Sequence, residues 1–223
     1  MKLNKKSILI VLLAIIIIAV MIGGTVAWLT ASSKLVNSFT VGTFEKPKTN
    51  PVTQETITLD SYLYEPNWDA SQAKLIPGVS IDKDPYVGIG AGSEDAVVYV
   101  YVQNDFAGTE TAKNKVYFTL NTGWEAVAGQ TVAGAEADTY ASGLFKYTSG
   151  LTGSADKDAW TTTALFSDIE VAEDATSENL TPAGATKDIT VSCFIHQAKN
   201  AQGTAIDDAT IILPAAKVAF GIN

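Results

Sequence analysis

The nine residues AVVYVYVQN, Ala96–Asn104, constrain the fold of this chain most, because apolar side chains stand on both faces of any strand they form. Successive side chains of a strand point to opposite sides of the sheet, so a strand of this composition must be covered above and below. A central strand in a layered structure is the expected setting. Further β-favouring runs lie at Thr56–Leu63, Lys115–Leu120, Gly143–Thr148, Ala164–Ala172 and Ala185–Ala198, separated by Gly, Asp, Asn, Ser and Pro. No regular helical segments stand between them as crossovers of a parallel sheet. The expected fold is therefore all-β, a jelly-roll-like β-sandwich with short helical or loop insertions. Residues 65–75 read as a helical turn or a loop. Residues 207–223 read as a closing strand, with Pro214 at an edge or a bend.

Cys193 has no second cysteine to pair with, so the hydrophobic core has to hold the fold without a staple. In KDITVSCFIH, the residues Ile189, Val191, Cys193 and Ile195 share one strand face, which makes Cys193 a small buried hydrophobe on a half-buried strand. His196 is the only histidine and falls on the opposite face, so it forms no Cys-His pair. A zinc site needing two histidines is excluded.

The N-terminus reads differently. Lys2, Lys5 and Lys6 precede the apolar run SILIVLLAIIIIAVMI and the small pair Gly23-Gly24, which is the order of regions in a secretory signal. The uncharged stretch from Ser7 to Leu29 is also just long enough to cross about 30 Å of hydrocarbon, so an uncleaved anchor is the competing reading. A cut after Ala27 would make Trp28 the first mature residue, with contact to the membrane only before cleavage. Lysine supplies all 15 positive charges against 24 acids, and 12 of those lysines remain after Ala27. The resulting formal charge near −12 argues against nucleic acid and anionic membrane surfaces as partners.

The segments expected are a signal peptide over 1–27, an exposed strand over 28–44, a polar and proline-bearing spacer over 45–55, and the sandwich over 56–223. Within the second, Leu29, Ala31, Leu35, Phe39 and Val41 share one strand face, with Thr30, Ser32, Lys34, Ser38 and Thr40 mainly on the other. Such a strand suits a sheet edge in its own or a neighbouring chain.

Few constellations carry chemistry. Gly88, Gly90 and Gly92 lack the following helix that a phosphate-cradling loop needs, and read as a turn into the strand at Ala96. Asp82, Asp84, Glu94 and Asp95 are the oxygen donors that could converge on calcium, without the spacing of an EF-hand. Trp124, Trp160, Tyr140, Tyr147 and Phe145 either line a groove or fill the core. No cofactor is expected and no catalytic set is visible.

GGTVAWLT after the apolar run and NSFTVGTF downstream of it resemble the N-terminal region of the TasA/camelysin family of exported bacterial proteins. ALFSDIEV and ITVSCFIHQAKN are similar to later blocks of that family. The resemblance implies a jelly-roll domain, processing by a SipW-type signal peptidase, and secretion to the extracellular matrix or the bacterial cell surface. It further implies self-assembly into biofilm-matrix fibres, with possible accessory matrix proteins, in which the mature N-terminal segment of one subunit completes the sheet of the next. By position that donor is Trp28 to Phe44. Some family members are classed as metallopeptidases, but one histidine and no obvious ligand set do not match that activity here. The leading expectation is thus a non-enzymatic fibre subunit. An exported module binding carbohydrate or a host protein is second, and a camelysin-like metallopeptidase third.

Overall fold

β-Branched and aromatic residues crowd the body of the chain, and strands form where they do. The computed structural model describes residues 44–69, 71, 74–107, 114–180 and 188–223. The expected cut between Ala27 and Trp28, and Leu29, Ala31, Leu35, Phe39 and Val41, lie outside the described residues. Strands run in the order β1 (Leu63–Tyr64), β2 (Ser80–Asp82), β3 (Tyr86–Ile89), β4 (Ala96–Asn104), β5 (Val116–Thr119), β6 (Trp124–Ala133), β7 (Thr139–Tyr147), β8 (Ala159–Trp160), β9 (Asp168–Val171) and β10 (Ile189–Gln197). A π-helical turn, Asp208–Ile212, and helix α1 (Leu213–Phe220) follow. The protein is all-β with a helical C-terminal segment.

The larger sheet has the order β10-β4-β7-β5-β9-β2, with β6 also paired to β7, and the smaller one is β1-β3-β8. Every pairing between these strands is antiparallel. The larger sheet curls because β7 divides its partners. Gly143 to Lys146 pair with β4, whereas Thr139 and Tyr140 pair with β5. Asn104, at the end of β4, sits in this fork and donates its amide to the Val116 carbonyl at 3.0 Å and the Ala141 carbonyl at 2.9 Å. Gly143 marks the bend with φ 144°, and a side chain there would press on the backbone of Thr131 in β6.

The inner face of β4 supplies Val98, Val100 and Val102 to a core shared with Val87 and Ile89 of the smaller sheet and with Phe118, Phe145 and Phe166. The Phe118 and Phe166 rings lie 4.4 Å apart, and Phe145 meets Phe118 edge-on at 5.6 Å. Each of these fully buried side chains contributes roughly 1.5–3 kcal/mol. The outer face of β4 carries Val97, Tyr99 and Tyr101 against Ile212, Ala216 and Phe220. Helix α1 thus provides the second cover that AVVYVYVQN demands.

That helix corrects the expectation of a closing strand at 207–223. Asp207 accepts a hydrogen bond from the Thr210 amide at 2.8 Å, Pro214 lies in the first turn, and Gly221 ends the helix with φ 68°. A proline early in a helix loses no intrahelical bond, and a glycine in the left-handed region closes one.

Candidate functional site at the β10 edge

The alternation of KDITVSCFIHQ sets both faces of β10. Ile189, Val191, Cys193 and Ile195 pack toward the inner core, and Phe194 packs against the α1 side. All nine residues pair with β4, from Ile189 opposite Asn104 to Gln197 opposite Ala96. The ends are tied down. Asp105 and Asp188 exchange hydrogen bonds at one end. At the other end, Lys199 pairs with Asp95 at 2.7 Å. Lys199 and the amide of Gly153 hold the Asp95 carboxyl below the usual carboxylate range.

Two of those bonds fix which backbone groups face outward. Ala198 donates to the Asp95 carbonyl and Asp105 to the Asp188 carbonyl, so the even-numbered residues of β10 exchange hydrogen bonds with β4. The N–H and C=O groups of Ile189, Val191, Cys193 and Ile195 therefore point away from the sheet, and no described strand pairs with them. Their side chains are only half-buried, although they face the core. An apolar strand with half-buried inward side chains, and with a row of outward donors and acceptors that no described strand pairs, is a template for another strand.

The other edges of the described sheets are blunted. β6 carries register shifts between Ala126 and Thr131 and between Val132 and Ala133, with Gly129 at φ 72° between them. β2 has three residues, and β1 and β8 have two each. β10 has nine, with neither lysine nor proline among them.

Cys193 illustrates the half-closed site. Burial pushes its thiol up to about 11, which leaves little thiolate at neutral pH. His196 lies on the opposite face, with Nδ1 2.8 Å from the Gln197 carbonyl oxygen and its ring 6.1 Å from that of Phe194.

Residues 45–55, expected to be a spacer, are fastened to the body at their N-terminal end. The Glu45 amide donates to Ser93 Oγ at 2.9 Å, and the Glu45 carbonyl accepts from Gly90 at 2.6 Å. Asp158 Oδ2 accepts from the amides of Lys48 at 2.6 Å and Thr49 at 2.8 Å and from the Thr49 hydroxyl at 2.8 Å, while Oδ1 takes the Ala91 amide at 3.0 Å. Burial alone would raise the Asp158 carboxyl, but these donors outweigh it and hold the carboxyl below its ordinary range. Gly90 permits the approach, since a Cβ there would strike the Lys46 backbone. Nothing in the sequence singles out Asp158 from the other turn acids.

The calcium candidates do not come together. Asp82 and Asp84 line one polar cleft with Asn67, Tyr86 and Asn121, whereas Asp95 lines another with Lys146 and Asp208, and Glu94 is exposed. Among the described residues no group of three or more His, Cys, Asp or Glu could hold a metal ion. Asp84 is raised by burial, against the opposing pull of the two hydrogen bonds from Asn67. Of the aromatic candidates, Trp124, Phe145 and Tyr147 are core residues, and Tyr140 and Trp160 are half-buried.

Among the described residues no helix is long and apolar enough to cross a membrane. No family model, curated protein or solved structure matches the chain.

Proposed function

We propose that this chain is a secreted structural subunit of the TasA/camelysin type that polymerises into extracellular or biofilm-matrix fibres by strand donation, without catalysis. In this reading the domain is a jelly roll, a SipW-type signal peptidase cuts after Ala27, and the freed segment from Trp28 to Phe44 is the donor. The partner is a second copy of the chain, at the bacterial surface or in the matrix around it.

The observation that carries the reading is the β10 edge. Ile189, Val191, Cys193 and Ile195 present outward backbone groups and half-buried apolar side chains together. Strand addition answers both needs, main-chain hydrogen bonds for the first and alternating side chains for the second. The sequence of Leu29 to Val41, apolar on one face and polar on the other, has the pattern such an edge accepts.

Deleting Trp28 to Thr43 tests it. The deletion is expected to leave a folded, soluble monomer that forms no filaments in electron microscopy, whereas the mature chain forms them. Filaments from the deleted chain, or none from the mature one, would defeat the proposal.

A further inference from the structure

We propose that the polar cleft between the β2–β3 connection and the loops at Asn121 and Thr163 binds an uncharged glycan chain, with the aromatic face of the smaller sheet, Tyr64, Tyr86 and Trp160, as the stacking surface beside it. The site is complete within one chain and is independent of strand donation.

Hydrogen bonds lock the segments that build the cleft to one another. The Lys83 amide donates to the Ser167 carbonyl at 3.2 Å, Leu165 to Pro85 at 2.8 Å, and Asn121 to Leu165 at 3.0 Å. The Asn121 side chain adds a bond to the Ala164 carbonyl at 3.1 Å. Asn67 joins the wall by donating its backbone and side-chain amides to Asp84 at 3.0 and 2.9 Å. The space enclosed is about 680 Å³, within the roughly 300–1,000 Å³ of small-ligand sites. Most such sites are apolar with a few polar groups. This one is lined by carboxamide, carboxylate and hydroxyl residues, with Ala164 the one described side chain among them that has no polar atom. So many hydrogen-bonding groups on a fixed frame suit a ligand with many hydroxyls.

Charge narrows the ligand. Asp82, Lys83 and Asp84 follow one another, yet only the two acids line the cleft. Lys83 turns instead to the Glu65 carboxylate at 2.8 and 2.9 Å, both side chains largely buried, and stands 4.6 Å from the centroid of the Trp68 ring. No lysine is among the described residues that line the cleft, so a uronate, sulfate or phosphate would meet two carboxylates and no cation. A carboxylate accepts about four hydrogen bonds. Asn67 takes one on each oxygen of Asp84, which leaves acceptor sites for sugar hydroxyls.

The aromatic face is the second observation. Tyr64 pairs with Tyr86 and Gly88 with Trp160, and residues paired across two strands share a face of the sheet. Tyr64, Tyr86 and Trp160 therefore stand together on the side opposite the buried Val87 and Ile89. Gly88 leaves room for the Trp160 ring to lie over it, since a Cβ there would strike that ring. The Tyr64 and Trp160 rings are 6.4 Å apart. All three residues are half-buried and none joins either hydrophobic core cluster, so filling the interior does not account for them. Tyr86 belongs to both the face and the cleft. A pyranose ring has an apolar C–H face and a rim of hydroxyls, and rings running on from a polar cleft are complementary to both along a chain of sugars.

Calorimetric titration tests this with three uncharged hexasaccharides, of β-1,4-linked glucose, β-1,4-linked N-acetylglucosamine and α-1,4-linked glucose, and with hexagalacturonate as the acidic counterpart. Saturable binding of at least one of the three is expected, with hexagalacturonate about tenfold weaker or more. Flat titrations with all three, as a protein-binding face would give, overturn the inference, and so does hexagalacturonate that binds as tightly. Asp82→Ala and Tyr86→Leu are each expected to weaken binding about tenfold, whereas Glu94→Ala, at an exposed acid outside the cleft, leaves it unchanged. Equal losses in Asp82→Ala and Glu94→Ala would make bulk charge the cause and overturn it, as would parent-like affinity in a folded Tyr86→Leu. Location is read without any substitution from ligand-induced NMR shifts of the Asn67 and Asn121 side-chain amides. Saturable binding that moves neither places the glycan elsewhere on the molecule and defeats the assignment.

Discussion

Asn104 and Ala141 meet where β7 changes partners, the Asn104 amide donating to the Ala141 carbonyl at 2.9 Å while also reaching Val116 at 3.0 Å. The side-chain Oδ1 of Asn104 accepts from the Phe106 amide at 2.9 Å. One buried side chain thus satisfies backbone groups on three segments at the fork. Asn104→Ala leaves those three groups without this partner and is expected to cost about 3 kcal/mol or more, since each buried unsatisfied group costs about 1–3 kcal/mol. Urea denaturation monitored by tryptophan fluorescence measures it. A midpoint equal to the parent's would show that water replaces the side chain.

The outward backbone of β10 makes a paired proline test possible. Val191→Pro removes an N–H that points away from β4 and is expected to fold with a modest loss of thermal stability while abolishing filaments. Thr190→Pro removes an N–H used by β4 and is expected to destabilise the fold by ~3 kcal/mol or more. Equal melting temperatures for the two would contradict the assignment of outward and inward groups.

In the donor segment, Phe39→Asp places a charge on the face shared with Leu35 and Val41, where burial without a partner is costly. It is expected to lower filament yield severely. Thr40→Asp points the other way and is expected to be tolerated. Filament counts in electron microscopy decide, and equal yields from both variants speak against insertion of this segment into a sheet.

Cys193 is expected to react with a thiol reagent far more slowly in the native protein than in urea, because its thiol is pushed up to about 11 by burial. Cys193→Ala is expected to cost about 1–2 kcal/mol, as for a small buried group. Labelling as rapid as that of the unfolded chain would place the sulfur in solvent.

Asp158 gives a pH dependence with a definite sign. Its folded carboxyl lies below the ordinary value, so the folded state binds the proton less tightly than the unfolded chain. Its contribution is fully present above the unfolded value of about 4 and is lost as the pH falls through the lower folded one. The stability difference between the parent and Asp158→Asn is expected to hold from pH 5 to 7 and to shrink below about pH 4. A difference that widens with acid would reverse the assignment.

The sequence revealed the strands whose side chains alone fix their setting. AVVYVYVQN had to be covered on both faces, and KDITVSCFIH had to be half-covered on one, because period-two alternation survives any context. β6 escaped notice, since Gly129 and Gln130 interrupt its pattern at the irregular stretch of its pairing with β7. In the C-terminal segment the expectation of a closing strand overlooked that Asp207, Pro214 and Gly221 together spell a helix. The glycines at 88, 90 and 92 read as one turn into β4, but Gly88 lies inside β3 and only Gly90 and Gly92 fall in the connection after it. The fastening at Asp158 was not legible at all. Asp158 lies more than a hundred residues from Lys48 and Thr49, and no local pattern announces a contact over that separation.

The register of β10 against β4 has a mechanical side. All nine pairs follow one another without a register shift, closed at the ends by Asp105–Asp188 and Asp95–Lys199. Tension applied along β10 would load that ladder in shear, so its hydrogen bonds would resist together instead of peeling apart one after another.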